Sequence, residues 1–445
     1  MSNIVLLTVF TEAGIPSRVS LQPSKVNAIL GSLLAWWVLG PRTREMTHRL
    51  GAQTMPEFFG ERFKSKGLRI AAAAIIFVFL IPYTASVYNG LSRLFGMAVV
   101  TCIYVVVGGY MATVMNDFIQ GIVMLIGIVA VIAAVLAGNG GFAESIIQLS
   151  QIPAEGSALE GAFVSMFGPD LFNLLGVVIL TSLGTWGLPQ MVQKFYAIKN
   201  EKAIRTGTII STLFAVVVSG GCYFLGGFGR LFDGDAIRNA QGNVVYDSIV
   251  PFMLSKLPDI LIGVVVVLVL SASMSTLSSL VLTSSSTMTL DLLKDNVCKN
   301  MDEKKQVRTM QVLIVFFIVV SVVLALNPPT FIAQLMGISW GALAGAFLAP
   351  FLYGIYWKGV TKASVWVSFA VGVGLTVLNL FFHFIASPIN AGAIAMVAGL
   401  ILVPLVSLIT PKMKKERLDE IFECYQEETV LHKKLVVGTE TDNEE

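Results

Sequence analysis

Along the chain, long runs of Leu, Val, Ile, Phe and Ala alternate with short charged connections. A bilayer core about 30 Å thick takes about 20 apolar residues per helix. Eleven blocks reach or approach that length: 26–41, 71–92, 96–115, 117–138, 171–197, 206–228, 259–290, 310–327, 330–357, 363–384 and 389–410. The block 117–138, DFIQGIVMLIGIVAVIAAVLAG, carries a single acid, at its first residue. In lipid each segment has to satisfy its own backbone polar groups, and runs this long and evenly apolar fit helices rather than barrel strands. The pattern predicts an all-α polytopic membrane protein with about eleven transmembrane helices.

The connections sort by charge. If 42–69 is cytoplasmic, strict alternation puts 194–205, 294–308, 358–362 and the tail from 411 on the same side, and these segments hold 24 of the 30 Lys and Arg residues. The opposite side keeps Arg18, Lys25, Arg93, Arg230, Arg238 and Lys256, and its long loop 139–170 has neither Lys nor Arg. The positive-inside rule therefore predicts a multi-pass protein of the cell membrane with its N-terminus outside and its C-terminus cytoplasmic, provided that 96–115 crosses. Residues 1–25 have no basic stretch ahead of NIVLLTVF and do not read as a signal peptide. The polar tail 411–445 is expected to start as a helix and is too short for a catalytic domain.

Composition agrees: 55% of the 445 residues are hydrophobic and 13% charged, about half the charge density of a soluble domain. A net charge of +2 excludes nucleic acid as the main partner. Cys102, Cys222, Cys298 and Cys424 form no C-x-x-C pair, and His48, His383 and His432 belong to no His–Asp–Ser or metal-binding pattern, so the chain is not expected to be an enzyme.

Four polar features interrupt the apolar background. Asp117 opens a span, where it serves either as a helix cap or as a group facing a polar cavity or an ion. In SASMSTLSSLVLTSSSTMT, residues 271–289, Ser275, Ser278 and Ser279 share one helix face. Such oxygens suit a hard cation such as Na⁺, or equally allow close helix packing. GTWGLPQMVQKF, residues 184–195, has two glycines and Pro189 within six residues, either a broken helix of the kind that holds transported solutes or a simple kink. ISWGALAGAFLAPFLYGIYWKG, residues 338–359, reads as a bendable helix through Gly341, Gly345 and Pro350, with Trp357 and Lys358 as interfacial anchors, though packing accounts for its glycines as well.

Taken in order, MPEFFGERF, GGYMATVMNDFIQG, GLPQMVQKFYA, ASMSTLSSLVLTSSSTMTLDLLK and GALAGAFLAPFLYGIYWKG resemble the sodium:solute symporter family from about residue 26 to 410. The resemblance implies a leucine-transporter-like fold, in which five helices are repeated upside down around a midplane site. It implies symport of Na⁺, the co-transported ion, with a small organic solute by alternating access, and no organic cofactor. It gives Ala272, Ser275 and Thr276 to the main sodium site. Asp117, Ser278 and Ser279, with Ser275, match the second sodium site of some relatives. Tyr83, Thr185, Trp186, Pro189 and Gln190 fall on the solute side. GLPQ is similar to the G-L-P-H of acetate and pantothenate carriers, which leans toward a monocarboxylate-like anion. Thr181 and Thr185 stand where proline carriers show Trp and Tyr, which counts against the alternative of an amino-acid carrier.

The family's pattern also suggests two missing N-terminal spans, including the first core helix, and a shortening near Phe95–Met97. The expected organisation is an atypical outer segment 1–25, the remainder of the first repeat 26–138, the outer loop 139–170, the second repeat 171–357, two further helices 358–410 and the tail 411–445. A truncated, non-transporting membrane protein or sensor is the competing reading.

Overall fold

The computed structural model describes residues 27–89, 95–153, 161–165, 170–232, 237–239, 241–242, 244–294, 298, 301–326 and 332–425. The expected outer segment 1–25, residues 90–94 just before the expected shortening, and the tail beyond 425 lie outside the described residues. The helices are α1 (Asn27–Leu39), α2 (Gly40–Leu50), α3 (Met55–Phe63), α4 (Lys66–Asn89), α5 (Phe95–Gly138), α6 (Phe142–Gln151), α7 (Leu171–Gly187), α8 (Pro189–Tyr196), α9 (Glu201–Phe214), α10 (Gly220–Gly227), α11 (Tyr246–Leu254), α12 (Asp259–Thr287), α13 (Glu303–Leu326), α14 (Ile332–Tyr356), α15 (Lys362–Phe382), α16 (Pro388–Ile409) and α17 (Lys415–Phe422). Helical winding continues from α9 through Ala215–Ser219 and from α12 through Met288–Lys294. Among the described residues the only β pairing is one bridge, Arg238 to Val244.

Among the described residues nine helical stretches are long and apolar enough to cross a bilayer. Two of the eleven sequence blocks account for the difference. Block 26–41 becomes α1, which passes directly into the polar α2, GPRTREMTHRL. Blocks 96–115 and 117–138 run together as α5, broken at Gly109, whose φ of 55° and ψ of −149° only glycine adopts readily. The Tyr104 hydroxyl lies against Asn116, although a straight helix would separate them by about 18 Å. The chain therefore folds back at Gly109, several residues earlier than the hydropathy boundary, and the arm before it is only about 21 Å long.

Local signals set the helix ends. Thr54 caps α3 by accepting from the Glu57 amide, and Pro56 sits in the first turn. Asp170 caps α7 and Asn200 caps α9 in the same way, and Thr361 forms a reciprocal capping box with Ser364 at the start of α15.

The centre of the bundle is α14, buried over 94% of its apolar window and enclosed by α4, α7, α15 and α16. A helix apolar on every face needs protein on every face, and its small residues allow close approach. A Cβ at Gly341 would lie 2.7 Å from Gly392 Cα, and one at Gly372 only 2.3 Å from the backbone of Gly345 and Ala346. The helix is continuous through Pro350, and Gly341 and Gly345 meet Gly392 and Gly372 at close range, so both glycines serve packing.

The basic connections meet at one end of the bundle. Arg44 donates to the carbonyls of Ile198 and Lys199, each at 2.9 Å, and Lys362 donates to Lys64 O at 3.0 Å. Arg62, fully buried, donates to Gly354 O at 3.0 Å and Trp357 O at 3.4 Å, and burial lowers its pKa to about 10, so it stays charged at neutral pH. Beyond α17, Tyr425 stacks on Arg42 at 4.5 Å opposite Tyr356 at 4.4 Å, which ties the chain after residue 411 to α2 and α14. The strongest tie is at Asp291, whose carboxylate is fully buried. Thr54 Oγ1 and Arg69 Nε each donate to it at 2.7 Å, and Arg69 reaches Glu57 at 3.3 Å.

Two stability predictions follow from this packing. Gly372→Ala is expected to cost about 2–3 kcal/mol through overpacking against rigid backbone, and Gly374→Ala, with nothing within 4 Å of its Cβ, close to nothing; equal melting temperatures in detergent would refute the tight contact. Asp291→Ala breaks a buried ion pair, a class of change that costs about 3–5 kcal/mol. Because Arg69 keeps Glu57, the lower end of that range is expected from thermal unfolding, and a loss close to zero would show that the clamp does not hold the fold.

Candidate functional site

The hydroxyl-rich segment lies on the long helix α12, facing α5. Thr276 Oγ1 donates to Ala272 O at 3.0 Å, and Ser278 and Ser279 both donate to Ser275 O, at 3.0 and 3.1 Å. These donations bring the hydroxyl oxygens and carbonyls of Ala272, Ser275, Thr276, Ser278 and Ser279 together over two turns. With its proton committed to a carbonyl, a hydroxyl presents only lone pairs to a neighbour, which is the character a cation ligand needs.

Across from this face stands Asp117, on the arm of α5 after the Gly109 reversal. Asp117 faces Ser275, and its Oδ1 is buried without a hydrogen-bond partner. A carboxylate oxygen left unpaired in an apolar interior is costly, and beside neutral oxygens it fits a monovalent cation as cargo. Tyr104, from the arm before Gly109, completes this group: its hydroxyl donates to Met274 O at 3.1 Å and lies against Ser278, Asn116 and Thr101. The fold-back therefore brings both arms of α5 to one stretch of α12. Tyr104 carries no signal in the sequence beyond a single phenol within an apolar block. Lys194, on α8, is the main positive charge acting on Asp117.

The break expected at GLP is present. α7 ends at Gly187, Leu188 is extended (φ −80°, ψ 122°), and α8 starts at Pro189. The break is wedged against the central helix, since a Cβ on Gly187 would lie 2.8 Å from Leu348 N and 2.9 Å from Ala344 Cα.

The solute-side residues divide. Thr185 Oγ1 donates to Gly31 O at 3.2 Å and Trp186 Nε1 to Leu30 O at 2.7 Å. Their polar atoms hold α1 against α7, a partnership across about 150 residues that no local pattern announces. Tyr83 is buried edge-on to Trp340, with ring centroids 5.7 Å apart, and the Trp340 ring covers Gly184 one turn before the break. Trp340, absent from the sequence expectations, keeps its Nε1 buried without a hydrogen bond. Gln190, in the first turn after the break, is 3% exposed, and both its Oε1 and its Nε2 lack partners. The structure thus brings Asp117, Ser275 and Ser278 together with Tyr104, and Tyr83 together with Trp340 beside the break, while Thr185 and Trp186 are engaged with backbone. Among the described residues there is no cluster of three or more His, Cys, Asp or Glu side chains able to hold a metal ion.

Known proteins are similar to this chain. The chain is 28% identical to a sodium/pantothenate symporter of Haemophilus influenzae over 82% of this chain and 78% of that one. It is 27% identical to a sodium/proline symporter of Staphylococcus aureus over 88% and 79%, and 27% identical to the osmoregulated proline transporter OpuE of Bacillus subtilis over 87% and 80%. Among solved structures, a Na⁺-coupled sialic acid symporter in a substrate-bound, outward-open state superposes with a TM-score of 0.65 at 17% identity, over 93% of this chain and 90% of that one. That likeness establishes the leucine-transporter-like fold. The family described as sodium:solute symporters matches residues 17–372. With family pattern, relatives and fold in agreement over most of its length, the chain belongs to the sodium:solute symporter family.

Proposed function

We propose that this sodium-coupled symporter carries a small organic monocarboxylate into the cell, with Na⁺ held between α12 and Asp117 and the solute held beside the break between α7 and α8. The observation that carries this reading is the buried, unpartnered Oδ1 of Asp117 facing the Ser275 turn. Ser275 belongs to both ion positions: with Ala272 and Thr276 it makes the main one, and with Asp117, Ser278 and Ser279 the second. Na⁺ there neutralises the carboxylate and draws α5 and α12 together, which favours the outward-facing state; the solute then completes it, and the inward gradient drives release.

On the solute side, Gln190 offers an N–H₂ and a carbonyl oxygen to a carboxylate and its neighbouring polar group, Pro189 fixes the break, and Tyr83 with Trp340 forms an aromatic wall. The reading takes the end of the bundle where Arg44, Arg62 and Lys362 meet as cytoplasmic. It also takes 26–138 and 171–357 as the two related halves around the site. Proline is the second solute reading, favoured by the relatives named as proline carriers and opposed by Thr181 and Thr185.

Uptake into proteoliposomes under an inward Na⁺ gradient tests the proposal. Accumulation is expected with the gradient and not without it; gradient-independent or absent flux would remove active transport and leave a non-transporting membrane protein. Ser275→Ala and Asp117→Asn should each raise the half-saturating Na⁺ concentration about tenfold, equivalent to about 1.4 kcal/mol of ion binding, and unchanged Na⁺ dependence would discard the assigned ligands. Gln190→Leu should raise the half-saturating solute concentration about tenfold and leave Na⁺ binding intact. In competition assays short monocarboxylates should displace the labelled solute; displacement by proline instead would reverse the choice of substrate.

A further inference from the structure

A cavity of about 400 Å³ lies at the basic end of the bundle, lined by Thr47, His48, Gln53, Tyr110, Gln193 and Tyr196 among others. Its lining joins the loop after α2, the arm of α5 after Gly109 and the end of α8. Two of these residues point onward to the proposed ion site. Tyr110 lies two turns from Asp117 on the same helix and within its electrostatic reach. Gln193 Oε1 accepts a hydrogen bond from Thr283 Oγ1 at 2.9 Å, across the gap between α8 and α12.

Thr283 is 4% exposed and stands seven residues after Thr276, hence on the same face of α12 two turns nearer the basic end. Lys194, the next residue after Gln193, is the main cation acting on Asp117. The cavity thus reaches the side chain of Gln193, the ion-site face of α12 begins one turn beyond Thr283, at Ser279, and the neutral Gln193–Thr283 hydrogen bond spans the two helices between them.

Resting on the reading of Asp117 and Ser275 as the ion site, we propose that the Gln193–Thr283 hydrogen bond is the inner gate of the pathway. When it is made, α8 and α12 are held together and the ion site is separated from the cavity; when it breaks, the cavity and the site become one compartment, through which ion and solute leave. Gln193 and Thr283 are then positioning residues that set the balance between closed and open states rather than ligands. The strength of the bond suits the role. A neutral hydrogen bond biases a two-state equilibrium only about fivefold, enough to favour closure and weak enough to open in each cycle. The Asp291–Arg69–Thr54 cluster at the same end is charge-assisted and buried, too strong to break every turnover, so it fixes the end of α12 while the neutral pair opens.

The test uses the full chain in membrane vesicles of known sidedness, its four native cysteines replaced and Ser279→Cys added as a reporter, with a membrane-impermeant thiol reagent applied from either face. Thr283→Val and Gln193→Leu should each raise the labelling rate from the basic face about fivefold, with no change from the opposite face, and Thr283→Ser should keep the parent rate. A rate unchanged by both Thr283→Val and Gln193→Leu would overturn the gate. So would a rise from both faces, or the same rise in Thr283→Ser, because either would mean general loosening. If the reporter chain does not fold, hydrogen exchange of the 271–289 segment, compared between parent, Thr283→Val and Thr283→Ser chains with native cysteines, gives the same comparison. Labelling requires no transport, so a one-sided rise that persists while Ser275→Ala leaves Na⁺ dependence untouched would retire the ion site and leave the gate standing.

Discussion

Inside a bilayer a polar hydrogen has almost nowhere to go but a carbonyl of the protein itself, and this constraint organises the structure. Thr84 donates to Leu80 O, Thr181 to Val177 O, Ser285 to Val281 O and Thr376 to Gly372 O, each within its own helix. Trp186, which sits where helix winding is about to fail, finds its carbonyl on α1 instead, and Thr185 is shared between Ser182 O of its own helix and Gly31 O of α1. Against that background the side chains that find no partner carry information. Asp117 Oδ1, both ends of Gln190 and the Trp340 indole nitrogen are among such groups, and they fall at the proposed ion and solute positions. A helix bundle optimised only for stability would have filled these positions with apolar residues.

Around these positions the contacts differ in strength, and the differences separate what stays fixed from what moves. The glycine-lined contacts of α14 with α15 and α16 leave no room for sliding, since backbone meets backbone. At the basic end, Asp291 joins the end of α12 to the loop after α2 and the start of α4, Arg62 joins α3 to the end of α14, and the Arg42–Tyr425 stack joins α2 to the segment after α17, all through charged groups. By contrast, α5 meets α12 at the proposed ion site through Tyr104, Asp117 and hydroxyls, and the contact of α8 with α12 includes the neutral Gln193–Thr283 hydrogen bond. Relative motion in an alternating-access cycle is cheapest where neutral hydrogen bonds rather than buried ion pairs join the helices, and α5, α8 and α12 are the elements that carry the proposed ion site and gate.

Much of this was legible in the residues, to the extent that each feature was local. Hydropathy gave the long apolar helices, the Gly-Leu-Pro sequence gave the break at Leu188, and hydroxyl spacing gave the Ser275 turn, because each depends on residues within one or two helical turns. Features that depend on distant partners were not legible. The reversal at Gly109 comes several residues before the boundary between blocks 96–115 and 117–138, because apolar residues continue past it and hydropathy does not register a backbone angle. Asp291 reads in sequence as one acid at the end of a span, and its partners Thr54 and Arg69 lie more than 200 residues away. Resemblance puts Thr185 and Trp186 on the solute side, whereas in the structure the Trp186 donor is taken up by α1 and the Thr185 hydroxyl lies between Gly31 O of α1 and Ser182 O of its own helix. Gly341 and Gly345 left bending and packing open for a related reason: a small residue permits either, and the close neighbours Gly392 and Gly372 are on other helices.

The chemistry at the break narrows what such a site could hold. The Gln190 amide has one donor group and one acceptor and no charge of its own, so a carboxylate bound there would keep its full negative charge unless a cation lay nearby. The ion proposed at Asp117 is largely cancelled by Asp117 itself, whereas an ion at Ala272, Ser275 and Thr276 meets only neutral oxygens and keeps its positive charge. An anionic solute would therefore depend on the main sodium position for its electrostatic complement, and an ion there would in turn be favoured by the anion. That reciprocity is the thermodynamic content of coupling: a neutral amide on the solute side and neutral ligands on the ion side make each species the counter-charge the other lacks.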